Sequence, residues 1–92
     1  MKVVVGESAY RDLDEIYLWI AKDNPAAADR VINRIIDSTE LLGNFPYIGH
    51  VGRAVGTQEW VVAGLAYIVV YTVDPEADEL AVIGVFHGAR SR

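Results

Sequence analysis

The chain has 92 residues, 52% of them hydrophobic, no cysteine, and a formal net charge of −5. That is enough apolar material for one packed core and argues against disorder. The absence of cysteine excludes a disulfide scaffold, a thiolate metal site and a cysteine nucleophile. An acidic balance, spread over both halves of the chain, does not suit sequence-independent binding to phosphate backbones.

The opening residues Met1-Lys2-Val3-Val4-Val5-Gly6 do not read as a secretory leader, because the apolar run is too short. The uninterrupted apolar run from Leu65 to Tyr71 falls far short of a bilayer span. A cytoplasmic protein is expected. No repeat or linker interrupts the sequence, so a single domain over 1–92 is expected.

Lys2 to Val5 is β-branched and ends at Gly6, which predicts a short strand. Ser8 is a candidate N-cap for a helix running to about residue 22. Its apolar positions Ala9, Leu13, Ile16, Tyr17 and Ile20 share one helical face. Asn24 and Pro25 form a cap-plus-first-position pair for a second helix, with Ala28, Val31, Ile32, Ile35 and Leu42 facing inward and Gly43 as its stop. A connection this short makes the two helices antiparallel neighbours.

A loop broken by glycine and proline follows over 45–52. Strands are predicted over 58–63, 65–73 and 80–87, with turns at Gly64 and over 74–79. The fold class is α+β, in the order β-α-α-β-β-β, with a helical hairpin on one face of a small, mainly antiparallel sheet. Strict alternation puts Tyr67, Val69, Tyr71 and Val73 on one face of the middle strand and Ile68, Val70 and Thr72 on the other. In the last strand it sets Leu80, Val82 and Phe86 against Ala81, Ile83 and Val85. Both faces are apolar, and two helices cover only one, so a partner chain is expected on the second.

Candidate chemistry is sparse. Asp12, Asp14 and Glu15 diverge around a helix, so they read as a solvated acidic face rather than a converging acid/base pair. His50 stands alone in its loop, and two histidines without cysteine make no metal pattern. No cofactor motif is present. The sheet half supplies Arg53, Glu59, Tyr67, Tyr71, His87, Arg90 and Arg92. Gathered at one edge, such a mixture could cleave RNA, with cations on phosphate and His or Glu as base. Dispersed, it is ordinary rim and surface.

Read as an ordered set, these residues resemble a known family. The resemblance runs over residues 7–90. It is carried by Asp12-Leu13, Ile16 and Trp19-Ile20-Ala21, then Asp23-Asn24-Pro25-Ala26-Ala27-Ala28 and Phe45-Pro46. Gly52-Arg53, Gly56-Thr57, Glu59-Trp60-Val61-Val62, Tyr67-Ile68-Val69-Val70-Tyr71 and His87-Gly88-Ala89-Arg90 continue it. The set is similar to the ParE branch of the RelE/ParE toxin superfamily, the toxin halves of bacterial type II toxin–antitoxin pairs. The resemblance implies a non-catalytic inhibitor of DNA gyrase. It also implies a hetero-oligomer with a ParD-like antitoxin, with operator DNA reached only through that antitoxin and no membrane partner. Arg53, Glu59, Trp60, Tyr67, His87 and Arg90 are then expected on the binding surface. The alternative is a RelE-like ribosome-dependent mRNA endonuclease, with His87 or Glu59 as base and Arg53 and Arg90 on phosphate. The acidic balance favours the gyrase branch. Two positions depart from the family pattern: His50 and Gln58 stand where cations are common.

Overall fold

In the computed structural model, which describes residues 1–89, two helices pack on one face of a five-stranded mixed sheet. The elements are β1 (Lys2–Val5), α1 (Glu7–Ala21), α2 (Pro25–Asn44), β2 (His50–Val51), β3 (Gln58–Val61), β4 (Tyr67–Asp74) and β5 (Glu79–His87). The strand order is β1-β5-β4-β3-β2. Strands β2 to β5 form an antiparallel series, and β1 runs parallel to β5 at the far edge. The predicted order thus holds, with β2 added as a two-residue edge strand that no periodicity could have announced.

The helical hairpin forms as its punctuation suggests. Asn24 Oδ1 accepts the Ala27 amide at 3.0 Å, and Pro25 occupies the first turn, where its missing N–H is no loss. Ala9, Ile35 and Leu42 are fully buried in one cluster with Val62, Val69, Tyr71, Leu80 and Val82, and Ala28 is fully buried as well. Trp19 projects outward with the Lys22 ammonium 4.7 Å from its ring centroid.

Both helix boundaries differ from expectation. Helix α1 starts at Glu7, with Gly6 as the cap rather than Ser8. The Gly6 amide still donates to Val82 O (2.9 Å) while its carbonyl accepts the Tyr10 amide (3.0 Å), so one residue is both the last rung of the sheet and the first of the helix. Gly43 does not stop α2, which runs on to Asn44. It is a contact glycine instead. A Cβ there would fall 2.7 Å from Val3 Cγ2 and 3.2 Å from Met1 O, so its absence sets how closely α2 approaches β1.

The last strand also departs from simple alternation. Val70 pairs with Gly84 and Tyr71 with Val82, leaving Ile83 without a partner in the ladder. This bulge reverses the phase of everything after it. Leu80, Val82, Val85 and His87 therefore share the helix-covered face, and Phe86 lies opposite Ile68 on the other. The expected grouping of Phe86 with Val82 is corrected by that one inserted residue. Across the sheet, the face turned away from the helices carries Val61, Ile68, Val70 and Phe86, and no helix or strand among the described residues is laid over it.

Asp12 corrects a second expectation. It is half-buried, and its Oδ2 accepts the Val85 amide at 2.9 Å. Val85 lies past the point where β1 ends opposite Val82, so the carboxylate covers a ladder group that β1 does not reach. The bond fastens α1 to the strand 73 residues away. Asp14 and Glu15 remain exposed as expected. Replacing Asp12 with Ala should cost about 1–3 kcal/mol in urea unfolding and sharply raise hydrogen exchange at the Val85 amide. Asp12→Asn, which keeps an acceptor oxygen, should recover most of the loss.

Candidate functional site

The segment 45–57 leaves α2 and returns to the sheet as β3, and it carries much of the exposed apolar surface. Phe45, Tyr47, Ile48, Val51 and Val55 are all exposed, Val51 to 91%. Exposed apolar loops are usually loose, but this one is fastened at several points.

The main fastening is the Tyr71 side chain. Its ring is fully buried in the core, and its hydroxyl emerges under the loop. The hydroxyl accepts the Gly49 amide at 3.2 Å, and its one proton serves the Pro46 carbonyl (2.9 Å) and the Gln58 side-chain oxygen (3.1 Å). Gly49 must be glycine here, because a Cβ would collide with that hydroxyl and come within 2.7 Å of the Glu59 carbonyl. Further along, the Gly52 amide donates to the Thr57 carbonyl (2.8 Å), and the Thr57 hydroxyl donates to the Ala54 carbonyl (2.6 Å). The Arg53 amide donates to Glu59 Oε2 (3.1 Å). The result is a largely apolar, acid-free loop held by hydrogen bonds and carrying the edge strand β2.

The residues expected on one binding surface divide into two groups. Glu59 pairs with Val70, on the face away from the helices, and His50 pairs with Glu59 on the same side. Arg53, Ala54, Thr57, Glu59 and Val70 line an open hollow of about 320 Å³ there. Trp60, Tyr67 and His87 are on the opposite, helix-side face. The Tyr67 and His87 rings meet edge to face, with centroids 5.2 Å apart and planes at 86°. His87 Nδ1 accepts the Ala89 amide at 3.1 Å, which places the neutral ring's proton on Nε2. Arg90 and Arg92 lie outside the described residues.

The chemistry of this arrangement is correspondingly limited. Glu59 with Arg53 and His87 with Tyr67 cannot converge on one substrate atom through the thickness of the sheet. No group of His, Cys, Asp or Glu among the described residues is arranged to hold a metal ion. No helix among them is long and apolar enough to cross a membrane. The residues that sequence reasoning undervalued are Tyr71 and Gln58. Their signal was present but faint: a tyrosine in the most apolar strand, and an amide side chain at the start of the strand beside it, directly opposite in register.

Burial pushes the Tyr71 phenol above the ordinary tyrosine value of 10.0, and the Gly49 amide offsets this only in part. A folded-state pKa raised in this way leaves stability intact below the unfolded value and removes it as pH rises through the folded one. Ionisation also deletes the proton shared by Pro46 and Gln58.

The sequence matches, over residues 3–92, the family described as the ParE toxin of the type II toxin–antitoxin system parDE. The chain belongs to the ParE toxin family. Among curated relatives, the chain is 40% identical over 75 residues to Y4kP of Sinorhizobium fredii, a toxin by its name. That match covers 82% of this chain and 78% of the relative. Among solved structures, a chain of the chromosomal ParDE toxin–antitoxin system from P. aeruginosa superposes with a TM-score of 0.81 at 17% identity, covering 95% of each chain. A chain of the RelBE2 toxin–antitoxin complex from Mycobacterium tuberculosis gives 0.67 at 22% identity, covering 94% of this chain and 95% of that one. The two structural likenesses establish the ParE/RelE toxin fold.

Tyr71→Phe should destabilise this ParE-family fold by about 1–3 kcal/mol at neutral pH, since Gly49 and Pro46 lose their partner. Urea midpoints measured from pH 8 to 12 should fall above pH 10 in the parent protein and show a smaller fall in the variant.

Proposed function

We propose that the chain is the toxin of a ParDE-type module that inhibits DNA gyrase and is neutralised by a ParD-like antitoxin. Family membership supplies the class. The observation that carries the finer reading is the separation of the candidate catalytic groups. A nuclease needs its general base and its phosphate-binding cations around one scissile bond. Here His87 faces the helix side and Arg53 with Glu59 faces the other. From Phe45 on, Arg53 is the one Lys or Arg among the described residues. Such a surface suits binding a protein better than stabilising a cleaved phosphodiester.

The antitoxin reading draws on the same surfaces. Val61 on the sheet face turned away from the helices and Phe45, Tyr47, Ile48, Val51 and Val55 on the held loop are exposed apolar side chains, a surface that suits a partner chain. Arg53 and Glu59 rim the hollow beside Val70, where Arg53 suits a carboxylate of the partner. Trp60, Tyr67 and His87 are proposed as a second contact on the helix side, and Arg90 as a contact beyond the described residues. The complex with the antitoxin is the form expected to reach operator DNA, through the antitoxin's own domain.

The decisive assay is gyrase activity on plasmid DNA. Purified toxin should block supercoiling and accumulate gyrase-cleaved plasmid, and the cognate antitoxin should reverse both. If gyrase is untouched while mRNA is cut in a translating extract, the endonuclease reading replaces this one. Arg53→Glu should weaken antitoxin binding by tenfold or more, on the order of 1.5–3 kcal/mol, measured by titration calorimetry.

A further inference from the structure

Between α1, α2 and β5 the packing leaves a cavity of about 160 Å³. Its wall is aliphatic, formed by Val5, Leu13, Ile35, Val82 and Val85. Thr39 also borders it, and its hydroxyl donates to the Ile36 carbonyl at 2.7 Å. Among the described residues, no buried side-chain nitrogen or oxygen lacks a hydrogen-bond partner. A water molecule inside would therefore find few polar partners along this wall. Tyr10 and Ile36 complete the lining and are 59% and 42% exposed, so the cavity opens to solvent at the helix surface.

A dry aliphatic cavity of about 150 Å³ is known to take up benzene or xenon, because the guest restores the dispersion contacts that the void forfeits. We propose that this cavity is a binding site for one small uncharged apolar molecule of benzene size, aromatic or compact aliphatic. A charged analogue is excluded, since it would lose its hydration with nothing to pair against. The site is separate from the Arg53–Glu59 hollow and from the Tyr67–His87 face, and it does not depend on the gyrase or antitoxin reading. An occupant would bridge the hairpin to the sheet and so stabilise the fold by mass action.

The test uses the purified chain with xenon and benzene as probes and benzoate as the charged control. Xenon should shift methyl NMR resonances of Val5, Leu13, Ile35, Val82 and Val85 and leave the exposed Val51 and Val55 unmoved. Benzene should raise Tm in a concentration-dependent way, and benzoate should not. Val82→Ile and Val85→Ile each add one methylene to the cavity, and each should weaken benzene binding by roughly tenfold or more while circular dichroism stays native. Absence of a xenon or benzene response would overturn the proposal. So would a response that survives in both filled variants, or one that spreads to the exposed apolar residues.

Discussion

The Tyr71 hydroxyl is a single oxygen on which two layers of the protein meet. Below it, the phenol ring is part of the same buried cluster as Leu42, Val62, Val69 and Leu80. Above it, that oxygen contacts the Gly49 amide, the Pro46 carbonyl and the Gln58 side chain. The core therefore dictates the shape of the loop, and the loop sets where β2 and Arg53 lie. Held by these bonds, the loop would have little left to order if a partner met it. Gln58 acquires a clear meaning here: it is a neutral acceptor that helps hold the tyrosine.

A second constraint runs along the other edge of the sheet. The chain turns from β1 into α1 within one residue, Gly6, and leaves part of β5 uncovered. Asp12 supplies the missing acceptor to Val85. Gly43 lets α2 press closely onto β1. These three small features fix the hairpin against the sheet more specifically than apolar packing alone, which is tolerant of sliding.

Much of the fold was legible in the sequence, because it is written in local signals. The Asn24-Pro25 pair, the helical spacing of Ala28, Ile35 and Leu42, and the glycine and acidic turns around the strands all act over a few residues. What was not legible is tertiary. A two-residue strand has no period. The bulge at Ile83 has the same residues as an unbulged strand, and its effect is seen only in what Val70 and Tyr71 pair with. Asp12 looks like any exposed acid until Val85 is found beside it. For the candidate site, the residue types were readable, and their division between two faces was not, since it depends on register rather than spacing.

The pairing of β1 with β5 also bears on how this protein comes into being. Residues 2–5 find their ladder partner in residues 79–82, almost the full length of the chain away. During synthesis the first strand must wait, and the hairpin that follows it has only part of a sheet to pack on. Non-local closure of this kind is slow to form and arrives late. A nascent chain of this toxin is therefore unfinished as a fold until its last strand has been made, which separates the moment of translation from the moment of competence.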